Sequence, residues 1–151
     1  MTAEQLIQRA RDTQATFLDL GNCGLTQLPD LSGLPHLTNL NLGIWYYEYN
    51  TSTTKWEYNK YTQNQGEKNQ LTDIEGIEVL SDNLVNLNFD SNQVSDISPL
   101  GKLSTLTNLS FSYNQVSDIS PLEQLTVLTK LHFSSNQVSD ISPLEKLTAL
   151  T

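Results

Sequence analysis

The side chains in this sequence that could do chemistry are few, and most of them are periodic. Asp73, Asp96, Asp118 and Asp140 recur at near-constant intervals, the last three 22 residues apart. Carboxylates stacked by such a period could cage a hard cation such as Ca²⁺. The simpler reading is that each accepts hydrogen bonds from nearby backbone N–H groups, as aspartate does in turns. On that reading no metal and no cofactor are expected. His36 and His132 fall at different places in the repeat, and Cys23 is the single cysteine. No Ser-His-Asp or Cys-His arrangement, no glycine-rich phosphate loop and no metal-ligand spacing is found, so an enzyme is not expected. One cysteine makes no disulfide framework. Eight Lys and Arg are scattered against 17 Asp and Glu, for a net charge of -9, which argues against nucleic acid as a partner.

The residues better suited to recognition are aromatic. Trp45, Tyr46, Tyr47, Tyr49, Trp56, Tyr58 and Tyr61 fall in one stretch, Gly43 to Lys68. Trp45, Tyr47 and Tyr49 share one alternating face. Trp56 and Tyr58 share another, after a turn at Thr51–Thr54. The pattern predicts a two-stranded hairpin with an aromatic side and a mixed polar side. Tyr and Trp anchor interfaces because they bury much area at little rotamer entropy. An isolated hairpin is marginal, however, so the same aromatics could lie on the chain's own neighbouring repeats. Both uses stay open. Lys55, Lys60 and Lys68 are balanced by Glu48, Glu57 and Glu67, so no basic funnel for single-stranded nucleic acid exists.

The elements that must position these groups follow from a 22-residue repeat, seen in register at 84–105, 106–127 and 128–149. Its skeleton is Leu-x-x-Leu-x-Phe-x-x-Asn-Gln-Val-Ser-Asp-Ile-Ser-Pro-Leu-x-x-Leu. A fixed period of this size means a solenoid, in which each coil buries its apolar edge against its neighbours. Leu87 and Phe89, with their equivalents Leu109, Phe111, Leu131 and Phe133, alternate at the period of a strand and point inward. Stacked, these strands form a parallel sheet. Asn69, Asn92, Asn114 and Asn136 sit where the backbone leaves the sheet and should form a ladder pairing otherwise buried turn groups. Ser98-Pro99 reads as an N-cap and first helical residue, with a short 3₁₀ turn through Leu100–Leu103 on the convex side.

Divergent units precede the regular ones. Residues 1–14 are read as a cap: Thr2 and Gln5 form a capping box, and Ala3, Leu6, Ile7 and Ala10 share one face of a helix over 3–13. A first repeat spans 15–36. A second spans 37–83 and is interrupted: Asn69 follows Leu42 by 27 positions where three are usual, so 24 residues, within 43–68, are inserted. The chain stops at Leu150-Thr151, two residues into a sixth unit. That suggests a piece of a longer array, with Leu144, Leu147 and Leu150 facing water and able to support end-to-end self-association.

The repeat resembles the leucine-rich repeat family, in the 22-residue class typified by bacterial internalins. The start, Gln5-Leu-Ile-Gln-Arg-Ala-Arg with Leu25-Thr-Gln-Leu-Pro29, is similar to leucine-rich arrays of Roco-type GTPases. In this family the ladder position reads Asn or Cys, which makes Cys23 a buried turn residue. The resemblance implies an α/β solenoid with a parallel concave β-sheet, a short 3₁₀ or irregular convex side, an N-terminal capping helix and an inserted β-hairpin. It also implies a concave sheet that binds proteins or peptides.

The concave positions carry the candidate contacts. Asn86, Asn88, Asp90, Asn108, Ser110, Tyr113, Lys130 and His132 form a hydrogen-bonding floor, and Trp45, Tyr47, Trp56 and Tyr58 add the aromatic hairpin. The expectation is a non-enzymatic module for a protein or peptide partner. Its rivals are a regulatory segment of a larger Roco-like GTPase and a fragment of a surface adhesin. No apolar run long enough for a membrane span and no signal peptide are seen, so no membrane partner and a cytoplasmic location are expected.

Overall fold

Leucine at every third or second position commits each coil to a strand and a return, and the coils stack through those leucines. The structure, a computed structural model, describes the backbone of residues 1–151 and every side chain except those of Tyr47, Glu48, Tyr49, Trp56, Tyr58 and Asn59. Helix α1 (Ala3–Thr13) leads into β1 (Phe17–Asp19) and β2 (Asn39–Asn41). The inserted hairpin follows as β3 (Trp45–Asn50) and β4 (Lys55–Tyr61), and then come β5 (Asn86–Asn88), β6 (Asn108–Ser110) and β7 (Lys130–His132). Strands β1-β2-β5-β6-β7 form one sheet, and all neighbours in it are parallel. Leu18, Leu40, Leu87, Leu109 and Leu131 stand side by side in its register. The convex side is built of 3₁₀ turns at Ile77–Leu80, Ser98–Lys102, Ser120–Gln124 and Ser142–Lys146.

The core is one strip running through the coils. Leu20, Leu42, Phe89 and Phe111 are fully buried on the strand side, and Ile77, Leu100 and Leu122 on the convex side. The rings of Phe89, Phe111 and Phe133 stack at centroid distances of 5.6 and 5.9 Å. Helix α1 closes the first coil. Thr2 and Gln5 make the reciprocal capping box, and Ala3, Ile7 and Ala10 are buried. Leu6, expected on the same face, is half-buried. At the other end Leu147 is 3% exposed rather than facing water, because it folds under its own coil against the strip. Leu144 and Leu150 are half-buried.

The asparagine ladder is present and ties coil to coil. Asn114 Nδ2 donates to Phe89 O (3.0 Å), Phe111 O (3.0 Å) and Ser112 O (3.3 Å), while its Oδ1 accepts from Val94 N (3.0 Å). One side chain thus joins backbone groups of two coils: Val94 N depends on it, and the carbonyls share it with Asn92, Asn136 and Ser91 N. Asn136 repeats the pattern one coil on. Asn69 does so across the insertion, donating to Leu20 O (2.9 Å) and Leu42 O (2.8 Å) and accepting from Cys23 N (3.1 Å) and Leu25 N (2.9 Å). The inserted residues are therefore looped out between Leu42 and Asn69 without disturbing the stack. Cys23 holds the ladder position of the first coil, its thiol donating to Gly21 O at 3.6 Å.

The aspartates cap the convex turns. Ser98 N, Ser120 N and Ser142 N donate to Asp96, Asp118 and Asp140 at 2.8, 2.8 and 2.9 Å. This corrects the expectation that Ser98 is the N-cap. Ser98 is the first residue of the 3₁₀ turn, and the preceding carboxylate satisfies its N–H.

Just before the ladder residue the backbone enters the left-handed region, with φ of 58° at Ser91, 57° at Tyr113 and 54° at Ser135. Two stability predictions follow from this geometry, both read from urea unfolding. Asn114→Ala strands the buried Val94 N–H and removes one of two donors from each of three carbonyls, and should cost about 2 kcal/mol. Asn136→Ala, in the half-buried last coil, should cost less. Ser91→Gly and Ser135→Gly should each stabilise by about 0.5 kcal/mol, since glycine adopts positive φ without a Cβ penalty.

Candidate functional site

The concave floor does not lie open along its whole length. Asn86 (0%), Asn88 (1%), Asp90 (4%), Asn108 (3%) and Ser110 (0%), expected as partner contacts facing solvent, are buried. On β5 the hairpin is the cause, since it leaves the sheet after β2 and packs against Asn88; on β6 Asn108 is closed in by Asn86 and Ser110 by Asp90, their hydrogen-bond partners across the sheet. Asn88 Nδ2 donates to Trp45 O in β3. Tyr46 stacks on Phe17 of β1 with ring centroids 4.9 Å apart. On β7, the edge strand of the sheet, Lys130 is half-buried and His132 exposed.

Polar ties root the hairpin in the scaffold. Asn41 Nδ2 donates to Asp19 Oδ1 (2.8 Å) and Gly43 O (3.0 Å), and Gly43 N donates back to Asn41 Oδ1 (3.1 Å). On the returning limb Thr62 Oγ1 donates to Asp19 Oδ2 (2.8 Å), and Asn64 Nδ2 donates to Asp19 O (3.0 Å) and Gly21 O (2.9 Å). Asp19 therefore holds both feet. The outgoing foot passes so close to β5 that a Cβ on Gly43 would meet Asn88 Oδ1 at 2.6 Å and Asp90 N at 2.9 Å. Nothing in the repeat pattern gives Asp19 a part in fixing the insertion. Thr62 and Asn64 carried no signal beyond their place at its end.

What stays accessible is the C-terminal part of the face. Tyr113 is 63% exposed, projected by its left-handed backbone, and its N–H donates to Ser134 O (2.9 Å) in the next coil. Ser134, Ser135 and His132 are exposed beside it. The structure thus brings Tyr113, Lys130 and His132 to one open region. On the hairpin, Trp45 is half-buried, its ring 3.6 Å from that of Tyr61. The side chains of Tyr47, Trp56 and Tyr58 lie outside the described residues.

Titration behaviour separates floor from flank. Burial pushes the Asp90 carboxyl up to about 6, against hydrogen bonds from Ser110 Oγ and Ser112 N that favour the anion. Backbone and side-chain hydrogen bonds from the following serines hold Asp96, Asp118 and Asp140 below the usual carboxylate range. Burial, and then Lys130, lower the His132 imidazole, which favours its neutral form. A cleft of about 590 Å³ between α1 and the returning limb includes Cys23. Burial and Asp19 raise its thiol, which makes it a poor nucleophile. Among the described residues no group of three or more His, Cys, Asp or Glu could hold a metal.

Asp90 yields a pH prediction. Its folded pKa of about 6 exceeds the ordinary 3.8, so its contribution to stability is complete below about pH 4 and lost as pH rises through 6. The loss is on the order of 2–3 kcal/mol. Asp90→Asn, which keeps the acceptor oxygen, should remove that slope and unfold at higher urea than wild type at pH 7. Unfolding series at pH 4.5 and pH 7 on both proteins check it.

The family described as Leucine Rich repeats (2 copies) matches residues 82–124 and 104–146. No curated protein matches the chain in sequence. Among solved structures, internalin C2 of Listeria monocytogenes superposes with a TM-score of 0.72 at 34% identity, covering 93% of this chain and 52% of its own. The chain thus spans about half the length of that internalin. An internalin F of the same organism aligns at 25% identity over 93% of this chain and 48% of its own, with a TM-score of 0.49, too distant to carry weight. Repeat period, ladder, parallel sheet and superposition agree: the chain is a leucine-rich repeat protein of the bacterial internalin-like class.

Proposed function

We propose that this chain is a non-enzymatic interaction module that binds a polypeptide on the open part of its concave face. An internalin-like leucine-rich repeat fold suggests a protein–protein interaction module. The observation that carries the placement is the exposed group of Tyr113, His132, Ser134 and Ser135 beside half-buried Lys130. Tyr113 supplies a rigid amphipathic anchor, the serines adaptable hydrogen bonds, and Lys130 and His132 donors for carbonyl or carboxylate groups. The chemistry-bearing side chains fit binding better than catalysis: partial burial and Lys130 lower the His132 imidazole, and burial and Asp19 raise the Cys23 thiol, which weakens it as a nucleophile. A cytoplasmic location belongs to the same proposal and is tested by cell fractionation.

A polypeptide selected from a display library against the purified chain tests the placement. Tyr113→Ala and His132→Glu should each weaken its binding by about tenfold or more, the loss expected for an interface anchor. Val79→Glu, an exposed change on the convex turn Ile77–Leu80, should leave it unchanged. Binding that survives the first two variants and is lost in the third overturns the assignment.

A further inference from the structure

We propose that the β3–β4 hairpin is a hinged cover, and that the amide floor beneath it is a latent surface exposed when the hairpin lifts. Its feet and its blade are held differently. The feet are cross-tied through Asp19, Asn41, Thr62 and Asn64, and Thr62 N donates to Ile44 O (2.8 Å) as the last rung above them. Above that rung the blade meets the floor where Trp45 O accepts from Asn88 and Tyr46 stacks on Phe17. Its tip, Thr51–Thr54, is exposed.

What the blade covers is polar. Asn39, Asn86 and Asn88, on the strands β2 and β5 that β3 packs against, are buried, where the aromatic Trp45 and Tyr46 would ordinarily meet an apolar patch. Closing the hairpin dehydrates these amides. Asn86 is 0% exposed and its Nδ2 finds no acceptor among the described residues, although its Oδ1 accepts from Asn108. A buried donor left unmatched favours whichever state returns it to water or offers it a carbonyl. Lifting the blade about Ile44 and Thr62 does this without breaking a coil, because the ladder bonds of Asn69 to Leu20 and Leu42 lie below the hinge. Lifting therefore requires only local opening. The consequence rests on the polypeptide-binding reading above: a bound chain would extend from Tyr113 and His132 onto Asn86 and Asn88 only in the open form.

Thiol labelling of the full chain tests the cover without any partner. In a Cys23→Ser background, Asn39→Cys places one thiol beside the Phe17–Tyr46 contact, on a strand that β3 packs against. Its reaction with a disulfide reagent in native buffer should be insensitive to low urea. It should quicken about tenfold when Phe17→Ala removes the aromatic anchor, and slow when Asn86→Ala removes the unmatched donor. Labelling that follows global unfolding at every urea concentration, and shifts in Phe17→Ala only as overall stability does, overturns the proposal. Should Asn39→Cys not fold, intrinsic fluorescence serves, since both tryptophans of the chain, Trp45 and Trp56, are on the hairpin. Acrylamide quenching must rise in Phe17→Ala, and an unchanged value overturns the proposal. Neither assay contains a ligand, so a fixed cover leaves the binding assignment standing, and lost binding leaves the cover standing.

Discussion

A coil of 22 residues has a turn that it cannot satisfy by itself, and the structure depends on how that turn is paired. The backbone leaves the sheet inside the protein, where water cannot reach its carbonyls and N–H groups. One asparagine side chain per coil answers this, donating to carbonyls of its own and the preceding coil and accepting an N–H from that preceding coil. The leucine strip supplies the driving force for stacking. The amide ladder sets the register, because a coil displaced by one residue would lose all of these bonds at once.

This division explains how an insertion as long as a whole coil is tolerated. The chain departs after Leu42 and returns at Asn69, and the asparagine still reaches both Leu20 and Leu42. The strip never senses the excursion. Loop closure costs grow only slowly with length, so the excursion is free to acquire a structure of its own. It does so as a hairpin pinned at its roots by Asp19.

The hairpin changes what the concave face can offer. A curved parallel sheet with Asn and Ser on its inner side would present one uniform polar groove. Here the part over β2 and β5 is occupied by the chain itself, and the part around Tyr113 and β7 is open. Burial raises Asp90 at the boundary between the two, whereas the exposed flank aspartates, used as turn acceptors, are lowered. The same residue type is thus driven in opposite directions by solvent access.

The sequence by itself determined the coil: its period, its parallel strands, the ladder, the capping helix and the hairpin with its turn. All of these rest on spacings of a few residues or on a repeat, and a repeat reports which positions become neighbours. It misplaced the cap of the convex turn by two residues, because Ser-Pro matches a helix start while Asp96 supplies the bond. It treated the floor as open because alternation along a strand tells which side a residue takes, not what covers that side. Only the tertiary structure decided where the hairpin lies. The bonds that decide it, Thr62 to Asp19 and Asn88 to Trp45, join residues 43 positions apart that belong to no repeat and leave no local pattern.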